Sequence, residues 1–200
     1  MLRRKVFLTT GFALPLGVAR QVLAQSSLVP DPTPRLPAQP GQGLAVEDVR
    51  SLQRAARLSD AQAEGGRLAA GKAASAEVRQ LATRTADDHA RFRRSLGDIA
   101  AARQVDLPDR AAAGIEDRSL AALHAASDEA FDRAFLAWQL GLYRLMAEVY
   151  QTMASNSPDT ALSRFGIIAL ATARAHFETA RTLAKPLGLN VDIIGNPPQY

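Results

Sequence analysis

From Leu44 to Leu187 the apolar residues recur every three or four positions, and no useful stretch alternates with the period of two that a strand requires. The clearest run is Phe131, Phe135, Trp138, Leu142, Leu145, Val149 and Met153, whose gaps of three and four place all seven on one helix face. Punctuation divides the region into four long helices. The first is expected over Val46–Ala74, weakened by Gly65-Gly66 at roughly 1 kcal/mol per glycine unless the pair lets another helix approach or marks a kink. The second runs from Ala76 to Arg103 with Ser75 as its N-cap. A connection with a short helical piece near Glu116–Ala125 follows. The third long helix begins after Ser127 and ends near Ser155. The fourth opens with Ser157 as cap and Pro158 in the first helical position, and closes near Lys185-Pro186. Helices of this length joined by turns pack as an antiparallel four-helix bundle, so the expected class is all-α.

The front of the chain has a different character. Met1–Ala24 reads as a secretory signal: Arg3, Arg4 and Lys5 lead a short apolar stretch, and Val22-Leu23-Ala24 offers small residues for cleavage before Gln25. The apolar stretch is short for a membrane span and is interrupted by Pro15. The Arg-Arg pair brushes the twin-arginine export pattern, with Leu2 where a polar residue is expected, so the export route stays open. Residues 25–43 carry Pro30, Pro32, Pro34, Pro37 and Pro40 among Ser, Gln and Gly, the composition of a solvated linker. The ordered domain is expected over 44–187, and Gly188–Tyr200 as an irregular tail.

Export alters the meaning of the charge. The net charge of +4 comes from 24 basic against 20 acidic residues, but Arg3, Arg4, Lys5 and Arg20 precede the expected cleavage point. The mature chain balances to zero and shows no basic patch with interleaved aromatics, which excludes nucleic acid as a partner. Cysteine is absent, so disulfides, thiol catalysis, thiolate metal sites and a lipid-modified cysteine are excluded as well.

Two histidines break the apolar pattern. His89 lies at the centre of the seam Val78, Ala82, Thr85, His89, Phe92, Leu96, Ile99, and His176 falls in line with Leu162, Phe165, Ala169, Ala173, Ala180 and Leu183. Glu64 shares a face with Ala61, Leu68 and Gly71, and Tyr143 borders the seam of the third long helix. Two imidazoles, a carboxylate and a phenol suit one zinc, iron or copper ion, and a buried glutamate needs a positive partner. The other reading is a metal-free hydrogen-bonded Glu–His or Tyr–His cluster, or histidines facing a groove. Counted from the helix middles, Glu64 and His176 stand up to two turns apart, about 11 Å at the α-helical pitch. Asp87-Asp88 reads either as an exposed acidic pair or as a ligand or orienter of His89. His124 reads as a solvated surface residue. Di-iron carboxylate chemistry is excluded, because Ala86 and Ala173 stand where the Glu-x-x-His pairs need glutamate. No nucleophile elbow, phosphate loop or dinucleotide fingerprint is present, and no catalytic residue is assigned.

The same residues carry a family resemblance. Ala63-Glu64-Gly65-Gly66-Arg67-Leu68-Ala69, Val78-Arg79-Gln80-Leu81-Ala82, Asp87-Asp88-His89, Phe131-Asp132-Arg133-Ala134-Phe135 and Ala175-His176-Phe177 follow one another as in the bacterial domain of unknown function 4142 family. The chain resembles that family over roughly Ser59–Lys185. The resemblance implies a ferritin-like helical bundle and export, and carries family positions over to Glu64, Asp88, His89 and His176. A histidine usual in the third long helix is replaced here by Tyr143, whose phenol can ligate iron. The expected protein is thus a periplasmic or secreted bundle with a binding or interaction role in the cell envelope, with an envelope protein as partner and its oligomeric state open. The rival is a ferritin-like metal-binding protein for redox or storage.

Overall fold

A computed structural model of the chain describes residues 43–108, 115–126 and 130–190. The expected signal, most of the Pro-rich linker, the Ser127 cap and residues 191–200 lie outside the described residues. Within them the protein is all-helical, with five helices packed against one another: α1 Val46–Lys72, α2 Ala76–Ala102, α3 Ile115–Ala125, α4 Phe131–Asn156 and α5 Thr160–Ala184. A single 3-10 turn, Lys185–Leu187, follows α5 and is closed by Gly188 in the left-handed region at φ +67°. No helix among the described residues is long and apolar enough to cross a membrane.

The starts of α2 and α5 show how local chemistry sets boundaries. Ser75 caps α2 as expected, its hydroxyl accepting from the backbone N–H of Glu77 and Val78. Before α5 the expected cap is corrected. Asp159, not Ser157, caps the helix, accepting from Ala161 and Leu162 N–H at 2.9 and 3.0 Å. A carboxylate two residues later accepts the same free donors and adds negative charge at the positive end of the helix. Ser157 instead closes α4 and accepts from Asp159 N–H.

Three-residue connections (73–75 and 157–159) make α1/α2 and α4/α5 antiparallel neighbours. α1 also packs on α4, and α2 on α5, while α3 lies against α1 and α4. The sense of the cross-pairs follows from individual contacts. Asp88 meets His176 while Phe92 meets Phe165, so α2 and α5 run in opposite directions. Glycine sets the closest approaches. A Cβ on Gly66 would stand 2.7 Å from the Ala82 carbonyl and the Ala86 nitrogen of α2, and one on Gly166 2.5 Å from the Ala154 nitrogen of α4. A Cβ on Gly65 would enter the Trp138 ring. The Gly65-Gly66 pair therefore serves close helix contact, which offsets its poor helix propensity.

The expected seams are the core. Phe131, Phe135, Trp138, Leu142, Val149 and Met153 are buried, with Leu145 half-buried. Phe92, Tyr150 and Phe165 join α2, α4 and α5 through edge-on ring contacts of 5.4 to 6.3 Å. At one end of the bundle Asp132 of α4 accepts from Ala74 and Ser75 N–H at 2.9 and 2.8 Å, and Arg79 donates to the Ala73 and Ala74 carbonyls. At the other, Arg103 binds Asp159 at 2.7 Å. There too the Asp48 carboxyl is pushed up by burial, a shift that the Ser157 hydroxyl holds back and the nearby Asp159 charge reinforces. Both ends are thus tied by polar contacts between elements distant in sequence.

Candidate functional site

His89 is brought inward because it repeats the α2 seam one turn after Thr85 and one turn before Phe92. Its side chain is fully buried, and among the described residues neither ring nitrogen has a hydrogen-bond partner. Its ring meets the edge of Phe92 at 5.3 Å and lies 6.1 Å from the ring of His176, tilted by 50°. Burial pushes the His89 imidazole down to about 3, the neighbouring His176 charge adds to the fall, and Asp88 opposes it. His89 is therefore neutral at ordinary pH: one nitrogen carries a proton and the other a lone pair. An imidazole this reluctant to accept a proton is poorly matched to general acid–base work near neutrality.

His176 comes from α5 and is nearly buried. Its Nε2 stands 2.9 Å from Oδ2 of Asp88. Asp88 precedes His89 by one residue, about 100° round the helix, so it lies in the groove between α2 and α5 while His89 points into the core. It also pairs with Arg91, one turn on. Burial alone would raise the Asp88 carboxyl, but the hydrogen bond and charge of His176, with Arg91, outweigh it and hold the group below the usual carboxylate value. An ionised Asp88 only accepts, so Nε2 of His176 donates. In the neutral ring this leaves the lone pair on Nδ1. The Asp88 side chain keeps 21% of its exposure, so the arrangement runs from solvent at Asp88 through His176 to His89 in the interior.

The other two candidate ligands have further contacts of their own. Glu64 faces α3, where its carboxylate lies 3.6 Å from Nε2 of His124. Tyr143 is buried and stacks on Phe177 at 4.3 Å, part of the α4–α5 contact. Among the described residues no three His, Asp or Glu side chains form a group that could hold a metal ion, so Glu64, His89 and His176 do not converge as one. Of the two readings of Asp87-Asp88, each residue takes a different one: Asp87 is exposed, and Asp88 orients a histidine, although it is His176 and not its neighbour.

The structure adds polar core positions that the spacing argument did not single out. Gln62 of α1 donates to the Met146 sulfur at 3.5 Å while its Oε1 lacks a partner among the described residues, as do Thr85 Oγ1 and Gln139 Nε2. Tyr150 is also buried, which pushes its phenol up against the opposing influence of the Ser59 hydroxyl. Gln62 and Gln139 could have been found as polar interruptions of buried faces. Gln62 has Ser59, Gly65 and Gly66 on its face, which carry little apolar signal, whereas Gln139 stands among Phe135, Leu136, Leu142 and Tyr143, where the interruption is plain.

The sequence profile of the family described as domain of unknown function (DUF4142) matches residues 33–183, most of the chain. The protein belongs to this family. The DUF4142 match takes in all four long helices up to Leu183 and every residue of the Asp88–His89–His176 group. No curated protein and no solved structure matches the chain. The chemistry of this DUF4142 protein therefore rests on its own residues.

Proposed function

We propose that this protein is exported to the cell envelope, periplasmic or secreted after cleavage near Ala24, and acts there by binding through a ferritin-like four-helix bundle. The single observation that carries the binding role is His89, a fully buried imidazole with neither nitrogen partnered among the described residues. A buried polar group of this kind costs about 1–3 kcal/mol when left unsatisfied. Helix packing gains nothing from it that leucine would not supply. Its use lies in what it can bind, and the Asp88–His176 pair gives that binding centre a polar edge toward solvent.

Metal binding is the second reading. It is favoured by the two imidazoles 6.1 Å apart, one of them held by a carboxylate. In that reading Glu64, whose carboxylate lies beside His124, and Tyr143, whose ring stacks on Phe177, are the further candidate ligands. An envelope protein is the proposed partner of the bundle, with the Pro-rich stretch 25–43 as spacer.

Fractionation of cells expressing the tagged chain tests export: processed protein in the envelope or medium supports it, and unprocessed protein in the cytoplasm sinks it. Metal content after growth with iron, zinc or copper, in wild type and in the His89→Ala/His176→Ala double variant, separates the readings. Stoichiometric metal that vanishes in the variant supports the second reading. Metal retained at full occupancy removes the histidine site. Deleting 25–43 with the signal kept should reduce partner recovery, and unchanged recovery would dismiss the spacer.

A further inference from the structure

The two-histidine centre narrows the ligand class. We propose that His89 and His176 together form a two-coordinate site for a single copper(I) ion, with Asp88 as the carboxylate that orients His176. The inference rests on the reading of this group as the binding centre and goes beyond it by naming ion, charge and coordination.

Three observations carry it. The first is separation. Two imidazoles that hold one ion in line between them through bonds of about 2 Å have ring centres about 6 Å apart, and the two rings stand 6.1 Å apart. The second is tautomer. Metal-bound histidines commonly donate their other N–H to a carboxylate, which fixes the ring and raises its basicity. The 2.9 Å bond from Nε2 to Asp88 is that contact, and it leaves Nδ1 of His176 as the remaining ligand atom. His89 supplies the second donor from a fully buried ring, neither of whose nitrogens has a hydrogen-bond partner among the described residues.

The third observation concerns coordination number and charge. Zinc in protein sites takes four ligands, or three with an open position. Among the described residues no third His, Asp or Glu completes a group here. Copper(I), a d10 ion with no directional d-electron preference, accepts two nitrogen donors in a near-linear arrangement, and imidazole suits copper. The single neighbouring carboxylate, Asp88, already serves Arg91, which favours the ion of lowest charge. A divalent ion at this depth would leave a buried charge without a counterion. With no cysteine in the chain, thiolate cannot compete for the ion.

The test is an anaerobic titration of the purified full chain with copper(I) against a chromophoric copper(I) chelator, followed by X-ray absorption of the loaded protein. The expected result is one copper(I) per chain with two nitrogen donors. His89→Leu and His176→Leu each abolish it, while Asp88→Asn keeps the stoichiometry and weakens affinity by about 10–100-fold. Circular dichroism shows which variants remain folded. The nearly isosteric His89→Leu and the more accessible His176→Gln give independent routes to the same loss. Copper(I) bound equally by the histidine variants, or three or more donors in the absorption spectrum, would overturn the proposal. Zinc(II) bound stoichiometrically through His89 would keep the binding centre and overturn the copper(I) assignment. No ion of either charge bound by folded wild-type protein overturns the site and removes the metal reading with it.

Discussion

The α1–α2 turn and the middle of the bundle treat polar groups in opposite ways. At the turn, Ser75 caps its own helix, Asp132 reaches from α4 to two backbone N–H groups, and Arg79 covers the two preceding carbonyls. Donors and acceptors there are matched across elements more than fifty residues apart. In the middle, His89 has no partner on either nitrogen, and Thr85, Gln62 and Gln139 each keep an unmatched atom among the described residues. Unmatched buried groups are costly, and folding alone would not favour placing several together. The turn is built for stability. The centre gives up stability to keep an unmatched imidazole buried, which the proposed binding role explains.

This contrast breaks most visibly with pH. His89 takes a proton near pH 6.5 when unfolded but only near 3 when folded. Its neutral folded form is therefore at no disadvantage above pH 6.5, and stability falls progressively as pH drops from 6.5 toward 3. At about 1.4 kcal/mol per unit the loss approaches 5 kcal/mol. Asp88, with its folded value lowered, contributes stability above its unfolded value near 3.8 and loses it only below that, so the two windows are separable. Chemical denaturation at stepped pH should show His89→Leu removing the upper window while adding about 1–2 kcal/mol at pH 7. A variant less stable than wild type at both pH 7 and pH 4 would mean that His89 is a structural residue after all.

A second expected effect is set by packing. Gly166→Ala places a methyl 2.5 Å from the Ala154 nitrogen and should cost about 2–3 kcal/mol by forcing α4 and α5 apart, despite alanine's better helix propensity. Gly141→Ala, at a position with nothing within 4 Å, should stabilise slightly in the same thermal-melt series. At the turn, Asp132→Ala strips two charge-assisted bonds and should cost about 2 kcal/mol in urea unfolding, with the copper or other ligand affinity of the centre unchanged. The smallest expected effect is Asp159→Asn. It keeps the cap on α5, gives up the charge that faces Arg103 and the positive end of the helix, and relieves Asp48 of a like charge, a net cost of about 0.5–1 kcal/mol in urea unfolding.

Much of this was legible along the chain. The seam of α4, the Ser75 cap and the inward placement of His89 and His176 follow from three-four periodicity and short-range capping, which act within one helix. The α5 cap was misplaced by two residues because Ser157 and Asp159 both offer an acceptor, and only the hydrogen bonds reveal which one the helix uses. The partners were less legible still. Glu64 and His89 both lie on faces that turn inward, yet a small rotation of α1 sends Glu64 to His124 of α3. Asp88 reads like Asp87 in sequence, but α5 covers one and leaves the other exposed.

The sequence by itself determined the helices, their apolar faces, the family and the pair of imidazoles in the core, because each of these depends on residues within a few turns of one another. Tertiary structure alone decided that Asp88 holds His176, that His89 goes without a hydrogen-bond partner among the described residues, that Glu64 lies beside His124 and that Tyr143 stacks on Phe177. Those outcomes depend on the rotation and register of one helix against the next. Both are set by side chains meeting across the core, through glycines that let the backbones close, and no local period encodes them.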